Sequence, residues 1–311
     1  MTATTPNTTI ASTDSPRRMP DLQGGWSWTA ALFVAPAVVL LGIFLLYPTI
    51  STIILSFENG LDNYIRLFTR DPNFLNVRQF PPSGAFWNNI LWVVFYTGGC
   101  VFFGLLIAVM ASRVRYEAII KALVFLPQAI AATALGVIWR FVYFPNEQTG
   151  ALNAGLGVFG IDPIAWLGSA TWVNTSLIVA GIWGSVGFAT VILSAALKGI
   201  STEILEAARV DGARESQIFW RILVPMLSLP ISVVAVTLII NVVKLFDLIF
   251  VMTRGGPGAS SRTIAFTMFQ EALGGARNFD YGAAVAVIML LVLTPVMVFN
   301  VRRFRAERVV A

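Results

Sequence analysis

Six apolar runs, each long enough to cross a bilayer, decide what this chain can fold into. They cover 28–57, 87–112, 119–143, 172–197, 222–252 and 281–301, and a hydrocarbon core of about 30 Å needs about 20 residues of helix. With 57% hydrophobic and 12% charged residues, the chain does not have the composition of a water-soluble domain. The expectation is an all-α integral membrane protein with six transmembrane helices.

An even number of spans puts both termini on one side, and the basic residues say which side. One set of segments holds Arg17, Arg18, Arg113, Arg115, Lys121, Lys198, Arg209, Arg214, Arg221, Arg302, Arg303, Arg305 and Arg308; the other holds Arg66, Arg70, Arg78, Arg140, Arg254, Arg262 and Arg277, spread over longer loops. The richer set is therefore expected to be cytoplasmic, with both termini. The net charge of +5 is then an orientation signal and requires no nucleic acid.

Residues 1–27 are rich in Thr, Ser, Pro and Asn and predict a disordered cytoplasmic tail. A long polar lead ahead of a full-length span argues against a cleavable signal peptide. The transmembrane region is expected over 28–303, with a short basic tail at 304–311 anchored at the cytoplasmic surface. The single cysteine, Cys100, lies inside the second run and reads as packing. Small residues at helical spacing, Gly104, Ala108 and Ser112 on the second span and Gly282 with Ala286 on the sixth, predict close helix contacts. Pro127 predicts a kink in the third span. Gly181, Gly184 and Gly187 on the fourth read as close packing or, alternatively, as a wall of a solute path.

Only the fifth run carries ionisable residues well inside it, Lys244 and Asp247, and such residues usually meet a cavity or a partner. On a continuous helix Thr237, Asn241, Lys244 and Asp247 share an arc of about 120°, a polar stripe suited to lining an aqueous path. The alternative is an i,i+3 pair in which Lys244 and Asp247 neutralise each other. Asn241 suits a sugar hydroxyl because its amide both donates and accepts.

The most specific pattern lies between the fourth and fifth runs, in a polar loop at about 198–221: Glu206-Ala207-Ala208-Arg209-Val210-Asp211-Gly212, then nine residues, then Ile222-Leu223-Val224-Pro225. Locally it predicts two short helices broken at Gly212, since 203–208 favours helix and glycine accepts the positive φ that ends one. The pattern resembles the cytoplasmic coupling loop of ABC importer permeases, with Val224 where Leu is usual. Phe246 to Thr253 followed by Arg254-Gly255-Gly256-Pro257-Gly258, and the order Phe125-Leu126-Pro127, Trp139, Gly150, Leu152, Asn153, resemble the sugar-uptake branch of that family, of the maltose and glycerol-phosphate permease type.

That resemblance implies the type I importer permease fold in a bacterial or archaeal cell membrane. It also implies partners: a second, different permease chain, two ATP-binding subunits that hold ATP and magnesium, an extracytoplasmic solute-binding protein and a carbohydrate substrate. No cofactor is expected in this chain, which lacks a Gly-x4-Gly-Lys-Ser/Thr phosphate loop. Within the loop the resemblance implies that Glu206 and Arg209 contact the ATPase, that Ala207 and Ala208 allow close approach, that Gly212 makes the turn and that Pro225 closes the pattern. Asp211 is placed either to cap the turn or to pair with the ATPase. A secondary, ion-gradient-driven carrier would not need such a loop and often carries internal repeats, which are not visible here. An enzyme reading has no histidine and no paired carboxylates near a membrane surface, so neither catalytic nor metal-binding residues are assigned.

Overall fold

The computed structural model describes residues 28–308 except 79, 81 and 147, with the backbone alone at 29, 30 and 303–308. The expected tail at 1–27 lies outside the described residues, as do 309–311 and the side chains of the rest of the expected basic tail. Among the described residues every regular element is helical, and the β-type pairing is confined to an isolated bridge between Asn76 and Ser83.

The chain divides into two units, Met1–Ile50 and Ser51–Ala311. The described part of the first is one apolar helix, continuous with the start of the second unit as α1 (Ala31–Ser56). Its residues are apolar on every face, the surface a helix shows to hydrocarbon or to a partner.

The second unit continues with α2 (Ala85–Ala111), whose winding loosens to π geometry over Trp92–Thr97. Next come α3 (Glu117–Ala129) and α4 (Ala132–Val142), meeting at 100°, then α5 (Ala151–Val158) and α6 (Val173–Leu197). A polar hairpin of α7 (Thr202–Val210) and the start of α8 (Glu215–Met226) leads into α9 (Ser228–Val243), bent by 72° from α8. The chain closes with α10 (Asp247–Met252), α11 (Ile264–Ala272) and α12 (Phe279–Arg308). Helices α1, α2, α6 and α12 are singly long and apolar enough to cross a membrane, and the bent pairs α3/α4 and α8/α9 qualify when each is counted as one span.

Both bends have a chemical cause. Pro127 sits in a tight turn at Leu126–Ala129, and Ile130 and Ala131 are extended, with ψ of 132° and 141°. The kink expected at Pro127 is thus a full break. In the second pair the helix restarts at Ser228, which leaves Pro230 in a first turn, where its missing N–H costs no hydrogen bond.

Helix α6 is the most buried span candidate, and its glycines explain how neighbours approach it. A Cβ at Gly184 would lie 2.5 Å from Leu135 Cδ1, and one at Gly187 would lie 2.5 Å from the Val124 carbonyl oxygen. From the other side, a Cβ at Gly104 of α2 would lie 2.6 Å from the Ala189 Cβ. On α2, Gly104 and the buried Ala108 therefore pack as expected, whereas Ser112 is exposed just past the end of the helix, and the α6 glycines are points of close packing. Gly282 of α12 meets Ala272 of α11 instead of another span, at 2.7 Å from a built Cβ.

Asn153 gives the connection between α4 and α6 its shape. The side chain is fully buried; its Oδ1 accepts from Ile164 N–H (3.1 Å) and Trp166 Nε1–H (2.9 Å). Its Nδ2 faces the carbonyls of Phe144, Pro145 and Ile164 at 3.1–3.2 Å. One amide thus satisfies loop groups that burial would otherwise leave unpaired.

Candidate functional site

The Glu206 loop is built as the sequence predicts. Ser201 caps α7, its Oγ accepting from Glu203 N–H at 3.2 Å. At the other end Gly212 takes φ +81°, its N–H donates to Arg209 C=O (3.1 Å), and Ala213 N–H donates to Ala208 C=O (3.0 Å). These two bonds are the Schellman arrangement, which satisfies the last helical carbonyls through one left-handed residue. The chain then re-enters helix at Glu215, with Gln217 Oε1 accepting from Arg214 N–H at 2.8 Å.

Around that hairpin, Glu206, Ala207, Arg209, Asp211 and Gly212 are exposed and Ala208 is half-buried. Ile204 and Val210 also face out, Val210 being 88% exposed, so α7 carries an uncovered apolar strip beside its charges. Arg209 is engaged within the chain: its Nε donates to Glu215 Oε1 at 2.9 Å, and this hydrogen bond, followed by the Glu215 charge, holds its pKa above the ordinary arginine value. The other oxygen of Glu215 pairs with Arg113, just beyond α2. Pro225 lies apart from this cluster, exposed in the last turn of α8 before the bend.

The second candidate region is a cleft of about 320 Å³ where the breaks meet. Pro127, Gln128 and Ile130 come from the α3/α4 break, Trp92 and Tyr96 from the π segment of α2, and Gly181, Gly184 and Ser185 from α6. Asn241 and Val242 at the end of α9, with Leu245 and Leu248 beyond it, complete the wall with Ala132 and Leu135. Tyr96 Oη donates to Ser185 Oγ at 2.8 Å, and the buried Trp92 Nε1–H has no partner among the described residues. Irregular backbone inside a membrane protein is tolerated where it lines a cavity: the α3/α4 break contributes Pro127, Gln128 and Ile130, and the non-helical stretch 244–246 after α9 contributes Leu245.

The fifth run departs from the expected continuous helix over 222–252. Helix α9 ends at Val243, Lys244 to Phe246 are non-helical and α10 begins at Asp247. The four residues expected on one helical arc are consequently divided: Asn241 lines the cleft, whereas Thr237, Lys244 and Asp247 do not. Thr237 is half-buried and donates back to Val233 C=O at 2.9 Å, while Lys244 and Asp247 are exposed. Nor do Lys244 and Asp247 form the alternative ion pair; neither occurs among the ion pairs of the described residues. The break is held by a local turn, Leu245 N–H donating to Val242 C=O at 3.1 Å, and by distant side chains. Asn89 Nδ2 donates to Val242 C=O (3.1 Å) and Thr263 Oγ1 donates to Leu245 C=O (2.7 Å).

Sequence reasoning missed Trp92, Tyr96, Gln128 and Ser185. The aromatic pair at i,i+4 was the available signal, yet it is indistinguishable locally from aromatic residues that face lipid.

Residues 100–308 match the family described as "Binding-protein-dependent transport system inner membrane component". The chain belongs to that family. The permease is 44% identical over 287 residues to the osmoprotective compounds uptake permease protein GgtC of Synechocystis sp., covering 89% of this chain and 99% of that one. It is 39% identical to the alpha-glucoside transport system permease protein AglF of Rhizobium meliloti, covering 89% and 82%. Its fold matches a chain of a bacterial ABC transporter involved in the import of the acidic polysaccharide alginate, with a TM-score of 0.73 at 24% identity over 90% of this chain and 96% of that chain. The permease has the type I ABC importer permease fold and is a membrane component of a transport system.

Proposed function

We propose that the permease forms, with a second and different permease chain, the path of an ATP-driven importer for a neutral glycoside. In this reading there are six spans, counting each bent pair once, both termini and the α7 hairpin lie on one side, and the excess of basic residues in those segments supports the cytoplasm as that side. There the hairpin docks on one of two ATPase subunits that bind ATP and magnesium, while a solute-binding protein delivers the glycoside on the opposite side. ATP acts by stabilising one of two permease conformations over the other. The observation that carries this reading is the exposed, Schellman-closed α7 knob, a rigid projection suited to a partner's cleft.

The substrate class follows from the cleft. Its polar groups are amide, hydroxyl and indole, its remaining walls are aromatic and aliphatic, and no charged side chain is among them. Such a site hydrogen-bonds hydroxyls and covers the apolar faces of a sugar ring, and it offers nothing to an ionised solute. The naming of a relative for alpha-glucosides supports the same class.

The direct test is uptake and ATP hydrolysis by the permease co-purified with its partner subunits in lipid vesicles, with the binding protein and a panel of neutral glycosides. Stimulation by one glycoside supports the reading; uptake driven by an ion gradient without ATP overturns it. Asn241→Ala is expected to raise the KM of uptake about five- to tenfold through the loss of one or two hydrogen bonds, which a glycoside titration checks. Glu215→Gln is expected to lower uptake only about two- to threefold, because the pairs to Arg209 and Arg113 are exposed. That difference should shrink as salt is raised.

A further inference from the structure

The break after α9 has an unusual support. A helix C-terminus is commonly closed by a local glycine or by its own next turn; here Val242 C=O accepts from Leu245 N–H of its own next turn (3.1 Å), and Val242 and Leu245 also offer their carbonyls to side chains far away in sequence. Asn89 of α2, 5% exposed, holds Val242 C=O with its Nδ2 and accepts the Ile264 N–H with its Oδ1 at 2.8 Å. Fully buried Thr263 holds Leu245 C=O at 2.7 Å and caps α11 by accepting from Phe266 N–H at 3.3 Å. The segment that carries Thr263 is itself fixed from α2 and α6. Asn88 Nδ2 donates to Ser260 C=O and Arg262 C=O, both at 2.8 Å, and Asn174 Nδ2 donates to Ser260 C=O at 2.9 Å and to Asn88 Oδ1 at 3.1 Å.

Cleft residues stand on both sides of the pinned break, Asn241 before it and Leu248 after it. We infer that Asn89 and Thr263 form a latch that sets how Asn241 and Leu248 are presented to the cleft, and so are positioning residues that determine which glycoside the path accepts. Neither lines the cleft; both act through the backbone carbonyls they hold. The specificity half of this inference rests on the function proposed above, whereas the latch itself does not.

Two measurements on the permease in its purified complex test it. Thr263→Val keeps the shape and removes the hydroxyl, and Thr263→Ser restores the hydroxyl. In the Val variant, amide hydrogen exchange over 244–250 is expected to rise about tenfold. The ratio of uptake KM values for the best and second-best glycosides is expected to move at least about threefold, with kcat and glycoside-free ATP hydrolysis unchanged. The Ser variant is expected to match the wild type in both. Asn89→Leu should shift the KM ratio in the same direction as Thr263→Val; if that variant fails to assemble, the threonine pair alone decides. Wild-type exchange in Thr263→Val, or equal changes in Val and Ser, overturns the latch. Raised exchange with an unmoved KM ratio overturns its role in specificity. Absence of ATP-dependent uptake in every form would instead overturn the proposed function, and the exchange result would still decide the latch.

Discussion

In the assembled transporter, Gly212→Val is expected to reduce ATP-driven uptake more than tenfold, roughly the effect of 1.4 kcal/mol or more on the coupled step, while the amount of inserted complex stays unchanged. Space is not the constraint, since a Cβ at Gly212 meets nothing within 4 Å. The constraint is φ of +81°, which costs an L-residue about 1–2 kcal/mol and a β-branched one more. The cheaper response is to unwind the end of α7, giving up the bonds to Arg209 and Ala208 carbonyls and softening the knob. Gly212→Asn, which tolerates the left-handed region, should retain most of the uptake. Parallel uptake and ATP hydrolysis assays check both; full coupling in Gly212→Val would mean that the knob's rigidity is irrelevant.

The second large effect is expected at Gly187. There a Cβ would lie 2.5 Å from the Val124 carbonyl oxygen and 2.6 Å from Phe125 Cα, both backbone atoms that no rotamer change can move aside. Gly187→Ala should therefore push α6 away from α3 at a cost of about 1–3 kcal/mol, lowering the thermal midpoint of the purified complex by several degrees. Gly98→Ala is the matched control, because a Cβ at Gly98 meets nothing within 4 Å. Equal midpoints for the two variants would show that the α3–α6 contact yields more easily than its geometry indicates.

These two glycines mark the limit of what the sequence discloses. Gly212 was legible because a left-handed helix end is a local property, written in the residues that precede it. Gly187 was legible as a small residue on a helix, but its neighbour, the carbonyl of a residue 63 positions earlier, was not. The fifth span failed for a related reason. Val242 to Phe246 contains no glycine or proline, so nothing in the local sequence announces a break; besides the local turn at Leu245, the carbonyls are held by Asn89 and Thr263, which only the tertiary fold brings near. Of the residues offered for the path, Asn241 lines the cleft, while Thr237, a turn earlier on the same helix, is turned back onto the Val233 carbonyl. Lys244 and Asp247 were placed by continuing a helical period that had already stopped. Pro127 is the intermediate case: proline chemistry forecast the disturbance, and packing against α6 determined its size.

Helix α2 connects the two regions described above. Near its start Asn88 and Asn89 grip the 260–264 segment and the end of α9, and just past its finish Arg113 grips Glu215 beside the α7 knob. From Asn89 to the end of α2 at Ala111 run about 33 Å of helix at 1.5 Å per residue, and the cleft wall at Trp92 and Tyr96 lies along the way. The two grips are joined through the one section of α2 that is wound as π helix, Trp92–Thr97, and that section stands beside the cleft.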